Sequence, residues 1–131
     1  EKGSTATSFD YRPYGTELQL CQRYLPAFNS LSTAHSMGAA YAAATTTAVA
    51  TLVFPVQTRV APTGISSTAA STMQYGSAAG AFVGSAIAIG ANTGTLGCDV
   101  NLTISGATAG QGGKFSFNSA TGQLLFTGCE L

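Results

Sequence analysis

Charge is what this chain has least of. Five basic and five acidic residues among 131 leave it formally neutral and only 8% charged, against roughly a quarter in an ordinary soluble domain. That scarcity argues against nucleic acid and anionic membrane as partners, because both are bound through clustered Lys and Arg that displace counterions. Tryptophan is absent and histidine occurs once, at His35. No apolar run reaches the roughly 18 residues of a membrane span, and none reads as a signal peptide. The three cysteines, at 21, 98 and 129, show no zinc-type spacing with that histidine, and no other cofactor motif is evident. A repeat of solenoid length is missing too, which argues against a β-helix. The length suits one domain with one core. The chain opens on Glu1 rather than methionine, as a fragment or a processed chain does.

What charge and bulk there is gathers early, in Tyr14-Gly-Thr-Glu-Leu-Gln-Leu-Cys-Gln-Arg-Tyr24. Thr16 followed by Glu17 reads as an N-cap with a carboxylate in the first turn. A helix of about two turns is expected after it, with Leu18, Cys21 and Leu25 sharing its inner face and Leu20 aligned with Tyr24. Pro26 ends it.

The remainder is rich in alanine, glycine, serine and threonine, and its signal is alternation. β-Branched Thr45, Thr46, Thr47, Val49 and Thr51 outweigh the helical preference of alanine, so strands are expected at about 36–44 and 47–54. The second carries Ala48, Ala50, Leu52 and Phe54 on one face. Thr47, Val49, Thr51 and Val53 occupy the other, and neither face is strongly polar, as in a strand covered on both sides. Pro55 and Pro62 make the strand around Arg59 an edge strand or a strand bounded at each end. A short strand and loop are read in 64–80, one strand from Ala81 to Ile89, and a turn at 91–95. Cys98, Val100, Leu102 and Ile104 alternate inward against Asp99, Asn101, Thr103 and Ser105, the clearest strand of the chain. After a flexible loop at 106–113, residues 114–117 and 123–131 are read as a final hairpin. Short strands with Gly-rich turns and one short N-terminal helix define an all-β sandwich or barrel.

The run Arg12-Pro-Tyr-Gly-Thr-Glu-Leu-Gln-Leu-Cys-Gln-Arg-Tyr24 resembles a signature of the C-terminal domains of tailed-bacteriophage fibre and virion structural proteins. The preceding segment 1–9, the phrase Phe54-Pro-Val-Gln-Thr-Arg-Val-Ala-Pro-Thr63 and the Glu130-Leu131 end fit the same family. The likeness is specific in the first sixty residues and loose between about 64 and 122. It implies a jelly-roll-like β-sandwich over 14–131 behind an N-terminal arm at 1–13. It also implies a virion appendage that assembles as a homo-oligomer, usually a trimer, beside other virion proteins. No ligand or binding residue comes with it.

The residues themselves offer little catalytic chemistry. His35, Asp10, Asp99 and many serines contain the parts of a Ser-His-Asp set, but no serine sits in a Gly-x-Ser-x-Gly elbow. Asp10 with Asp99 is the remaining carboxylate pair for polysaccharide cleavage. The run 106–114 is like a phosphate loop, yet Lys114 is followed by Phe115 instead of Ser or Thr. The reading is therefore no enzyme, with a polysaccharide-degrading appendage as the enzyme alternative and two non-enzymatic roles open. One is receptor binding, most simply of a bacterial surface glycan through loops on a rigid sandwich; the other is purely structural, in decoration or assembly. The ligand candidates are Tyr41 and Tyr75, the tyrosines away from the helix, with Asn92 and Gln111 from two polar loops. Each aromatic has core or interface packing as its alternative. Cys98 and Cys129, both near strand ends, are candidates for a disulfide, or else remain buried thiols; Cys21 is expected free and buried.

Overall fold

Alternation of small or apolar residues with polar ones decides most of the architecture, because a strand sends successive side chains to opposite faces. The computed structural model describes residues 13–33 and 35–130. Expectations for the arm at 1–12, for Asp10 and Tyr11, and for Leu131 lie outside them. Helix α1 (Tyr14–Tyr24) is followed by β1 (Ala27–Asn29), β2 (Ser36–Ala44), β3 (Thr47–Val53) and β4 (Gly64–Ser67). A 3-10 turn at Ala70–Thr72 leads into β5 (Met73–Ser77), β6 (Gly80–Val83), β7 (Ala86–Thr93), β8 (Gly97–Thr103), β9 (Gly112–Phe117) and β10 (Gln123–Thr127). The fold is an all-β sandwich of a seven-stranded sheet, ordered β6-β5-β9-β2-β3-β8-β7, and a three-stranded sheet, ordered β1-β10-β4. The finer jelly-roll form rests on the resemblance alone.

The large sheet is rolled. β6 and β7 stand at its opposite edges, yet only Gly84 and Ser85 separate them in the chain. Three Cα steps reach at most about 11 Å, whereas seven flat strands would hold their edges roughly 29 Å apart. The two linking residues accordingly hydrogen-bond to both ends of the strand order: Gly84 N–H donates to Met73 O (2.9 Å) and Ser85 N–H to Thr103 O (2.8 Å). A side chain at Gly84 would collide with Leu102 and the Ala70 carbonyl, so this corner requires glycine.

Inside the roll, Ala40, Ala42, Ala48 and Ala50 on β2 and β3 leave room for Tyr75, Phe115, Phe117, Leu52 and Leu102, all buried. Small residues beside large ones fill a curved interior without voids. The three-stranded sheet joins this core through Phe126, whose ring packs edge-on against Phe54 at 5.0 Å and Phe28 at 6.0 Å.

Several sequence expectations change. The strand from 81 to 89 is two strands, broken at the corner just described. No strand forms between Pro55 and Pro62; there Thr58 donates twice to the Thr95 carbonyl, from its N–H (2.9 Å) and its hydroxyl (3.1 Å). Residues 91–93 belong to β7, so the turn falls at 94–96. The last two strands do not form a hairpin: β9 inserts between β5 and β2, while β10 crosses to the small sheet between β1 and β4. β3 is covered on its inner side only, and Val53 is 72% exposed on the other.

Helix α1 departs furthest from expectation. It starts one turn earlier, capped by Pro13, whose carbonyl accepts from Thr16 N–H (2.9 Å) and Glu17 N–H (3.3 Å). Thr16 is thus inside the helix and caps nothing, since proline has φ suited to a helix start and lacks a donor that would need satisfying. None of its eleven residues is buried, and Tyr14, Leu18, Cys21 and Tyr24 are exposed instead of packed inward. The β-domain forms its core without this helix.

Candidate functional site

The outer face of the large sheet is written in rows, because residues directly opposite in antiparallel strands point the same way. One row runs Ala81, Gly76, Lys114, Ala39, Thr51, Asp99 across β6, β5, β9, β2, β3 and β8. The neighbouring row carries Gly112, Tyr41, Val49 and Asn101. At the β5–β6–β9 corner of this face lies a depression of about 540 Å³, lined by Gln74, Ser77 and Lys114 over the bare backbone of Gly76, Gly80, Gly112 and Gly113.

Glycine makes this floor in two distinct ways. A side chain at Gly113 would run into the Tyr75 ring and the Gly76 carbonyl, so packing beneath the floor forbids one. At Gly112 nothing lies within 4 Å, so the space above is open to a ligand. Tyr41 stands directly across from Gly112, one strand over from the depression, and is 51% exposed, with no side chain opposite it on β9. Lys114 is its diagonal neighbour on β9, two residues along. The Gln74 amide donates to the Ser116 hydroxyl (3.3 Å), which orients its carbonyl oxygen as a spare acceptor. Ser77 donates to Gln111 Oε1 (3.1 Å) at the rim.

Three of the four sequence candidates adjoin this corner without lining the depression, in different roles. Tyr41 is an exposed ring. Tyr75 is wholly buried and donates its hydroxyl to the Gln111 carbonyl at 2.5 Å, so it supports the corner from beneath instead of meeting a ligand. Gln111 accepts that bond and also Ala42 N–H (2.9 Å), and its side chain holds Ser77. Asn92 sits elsewhere, on β7, with its amide committed to Asp99 Oδ2 at 2.7 Å. Lys114, Gln74 and Ser77 were missed as ligand candidates. Their signal was faint: a lysine closing a Gly-rich run, and polar residues alternating with Met73 and Tyr75. The phosphate-loop likeness ends in a strand, not a helix, so it has no helix N-terminus to offer an anion.

Among the described residues, His35 and Asp99 stay apart. Asp99 accepts from the Thr51 hydroxyl (2.8 Å) and Asn92, and β3 lies between its strand and β2, which His35 precedes. Among the described residues no group of three or more His, Cys, Asp and Glu could hold a metal, and no helix is long and apolar enough to cross a membrane.

Cys98 and Cys129 are both buried free thiols, the second of the two alternatives read from the sequence. Burial pushes the Cys98 thiol up to about 12, with the neighbouring charge of Asp99 and then Cys129 adding to the effect. Burial, then Glu130, raises Cys129 as well. Oxidation proceeds through thiolate, which these surroundings suppress. No known protein family, characterised protein or solved structure matches the chain.

Proposed function

We propose that this chain is a non-enzymatic module of a bacteriophage virion appendage that binds a bacterial surface glycan at the β5–β6–β9 corner. The virion assignment comes from the resemblance of residues 12–24 and 54–63. The observation that carries the binding site is a glycine-floored depression edged by Gln74, Ser77 and Lys114, with the exposed Tyr41 paired to Gly112 on the next strand. An aromatic face beside neutral amide and hydroxyl groups is the usual chemistry for a sugar ring, whose C–H face stacks while its hydroxyls hydrogen-bond. Bare backbone lets the ring approach closely.

The module also works as a homo-oligomer in this reading. Support comes from α1, which leaves Tyr14, Leu18, Leu20, Tyr24 and Leu25 exposed against its own domain. Exposed apolar side chains clustered on one short helix are the kind of surface that meets other chains.

Purified polysaccharides from a panel of bacterial hosts, immobilised and probed with the chain, test the proposal. Retention on at least one, weakened about tenfold by Tyr41→Ala, a loss of roughly 1.4 kcal/mol, is the expected result. Release of oligosaccharides during the assay would overturn the non-enzymatic reading.

A further inference from the structure

We infer that the corner takes a glycan bearing an anionic group, a carboxylate or a phosphate, and that Lys114 is the residue that selects it. This rests on the glycan-binding reading above and specifies the ligand's charge.

Lys114 is aimed by its neighbour. A Cβ built at Gly76 would stand 3.4 Å from Lys114 Cε and 3.5 Å from its Cγ, so the aliphatic stem lies across Gly76 from β9 toward β5. That direction carries the ammonium over the depression, of whose lining residues Lys114 alone is charged. A long side chain lying along a surface while its head stays in water is the ordinary behaviour of lysine; here the surface it follows is the floor of the site.

Nothing among the described residues neutralises that charge. Among the described residues Lys114 has no ion-pair partner. The acid that shares its row, Asp99, is three strands away, about 14 Å at the usual strand spacing. Both Asp99 oxygens already accept hydrogen bonds, from Thr51 and from Asn92. In a chain only 8% charged, an unopposed ammonium dominates the local field within a Debye length of about 8 Å. A ligand oxyanion placed there gains a charge-assisted hydrogen bond, about twice as strong as a neutral one. The Gln74 and Ser77 side chains and the glycine backbone present no acid to repel it. Lysine supplies a point charge in place of a planar fork, so it accepts either a carboxylate or a phosphate oxygen.

The experiment measures binding of the whole chain to three oligosaccharides of similar length: an oligogalacturonate, a glycerol-phosphate-bearing oligomer and neutral maltotriose. At least one anionic probe is expected to bind at least about tenfold more tightly than the neutral one, with the advantage shrinking as salt rises from about 0.05 to about 0.5 M. Lys114→Gln should abolish the advantage and its salt dependence with the melting temperature unchanged; Lys114→Arg should restore the advantage and its salt dependence. Which anionic probe prevails separates the carboxylate source from the phosphate source. Equal binding of neutral and anionic probes, indifferent to Lys114→Gln, overturns this inference and leaves the glycan-binding reading standing. Failure of all three probes, in the native oligomer and with intact fold, overturns the inference; the reading itself then turns on the host-polysaccharide panel.

Discussion

Tyr75, wholly buried on β5, donates its phenolic hydrogen to the backbone carbonyl of Gln111 at 2.5 Å, tying the loop before β9 to the interior of the rolled sheet. Tyr75→Phe removes that donor without opening a cavity, and the carbonyl keeps its second bond from Ala42 N–H. The expected cost is about 1 kcal/mol of stability in urea denaturation, with glycan retention unchanged. A retention loss without a stability loss would return Tyr75 to the ligand.

Adjacent glycines on β9 should behave oppositely. Gly113→Ala forces a methyl into the Tyr75 ring and the Gly76 carbonyl, and should cost about 2 kcal/mol or more. Gly112→Ala meets nothing within 4 Å, so stability should hold within about 0.5 kcal/mol while the methyl obstructs the floor and weakens glycan binding. Thermal melts and the retention assay, run on both variants, separate support of the floor from use of it.

Helix α1 gives a third test. Because Thr16 caps nothing, Thr16→Ala should slightly raise helicity by its better intrinsic propensity, a few tenths of a kcal/mol, instead of costing the roughly 1 kcal/mol of a lost N-cap. Replacing Leu18 and Leu25 together by Glu should leave the melting of the β-domain unchanged, since neither is buried there. Light scattering on the double variant should show the oligomer shifted to monomer. An assembly of unchanged mass would place the subunit contacts elsewhere.

Thiol chemistry follows from burial. One cysteine of three, the exposed Cys21, should react with a thiol reagent in the native protein, and the buried Cys98 and Cys129 only on unfolding. Cys98 holds its proton in the fold up to about 12, against 9.0 when unperturbed. Between those values the unfolded chain binds fewer protons than the folded one, so stability is full below pH 9.0 and falls as pH rises toward about 12. Its slope approaches about 1.4 kcal/mol per pH unit for this one group. Urea denaturation at several alkaline pH values should show a shallower decline in Cys98→Ala than in the parent chain.

Local sequence was enough to determine several of the strands, 36–44, 47–53 and 97–103 among them, and, for some, which side faces in. In 47–53 and 97–103 the parity of Ala48, Ala50 and Leu52, and of Cys98, Val100 and Leu102, matches the buried set, because apolar residues alternate with Thr, Asp and Asn. β2 shows the limit of that signal. Ala40 and Ala42 alternate with Ala39, Tyr41 and Ala43, so both parities are small and apolar, and only the neighbouring strands decide that Tyr41 points out while the alanines face the core.

Partner choice lay outside the sequence for a physical reason: backbone hydrogen bonds are the same for every residue, so periodicity reports a strand's faces and not its neighbours. β9 and β10 follow one another in the chain yet belong to different sheets, and β6 and β7, two residues apart, close opposite edges of one. The candidate site is a product of that pairing. Gly76 and Lys114 are distant in sequence and directly opposite in the sheet, and Tyr41 reaches the same corner because β2 is the other neighbour of β9. Each residue was readable alone as glycine in a loop, lysine after a Gly-rich run, or an unassigned tyrosine; what only the tertiary structure decided is that strand pairing lays the lysine across the glycine and sets Tyr41 on the next strand.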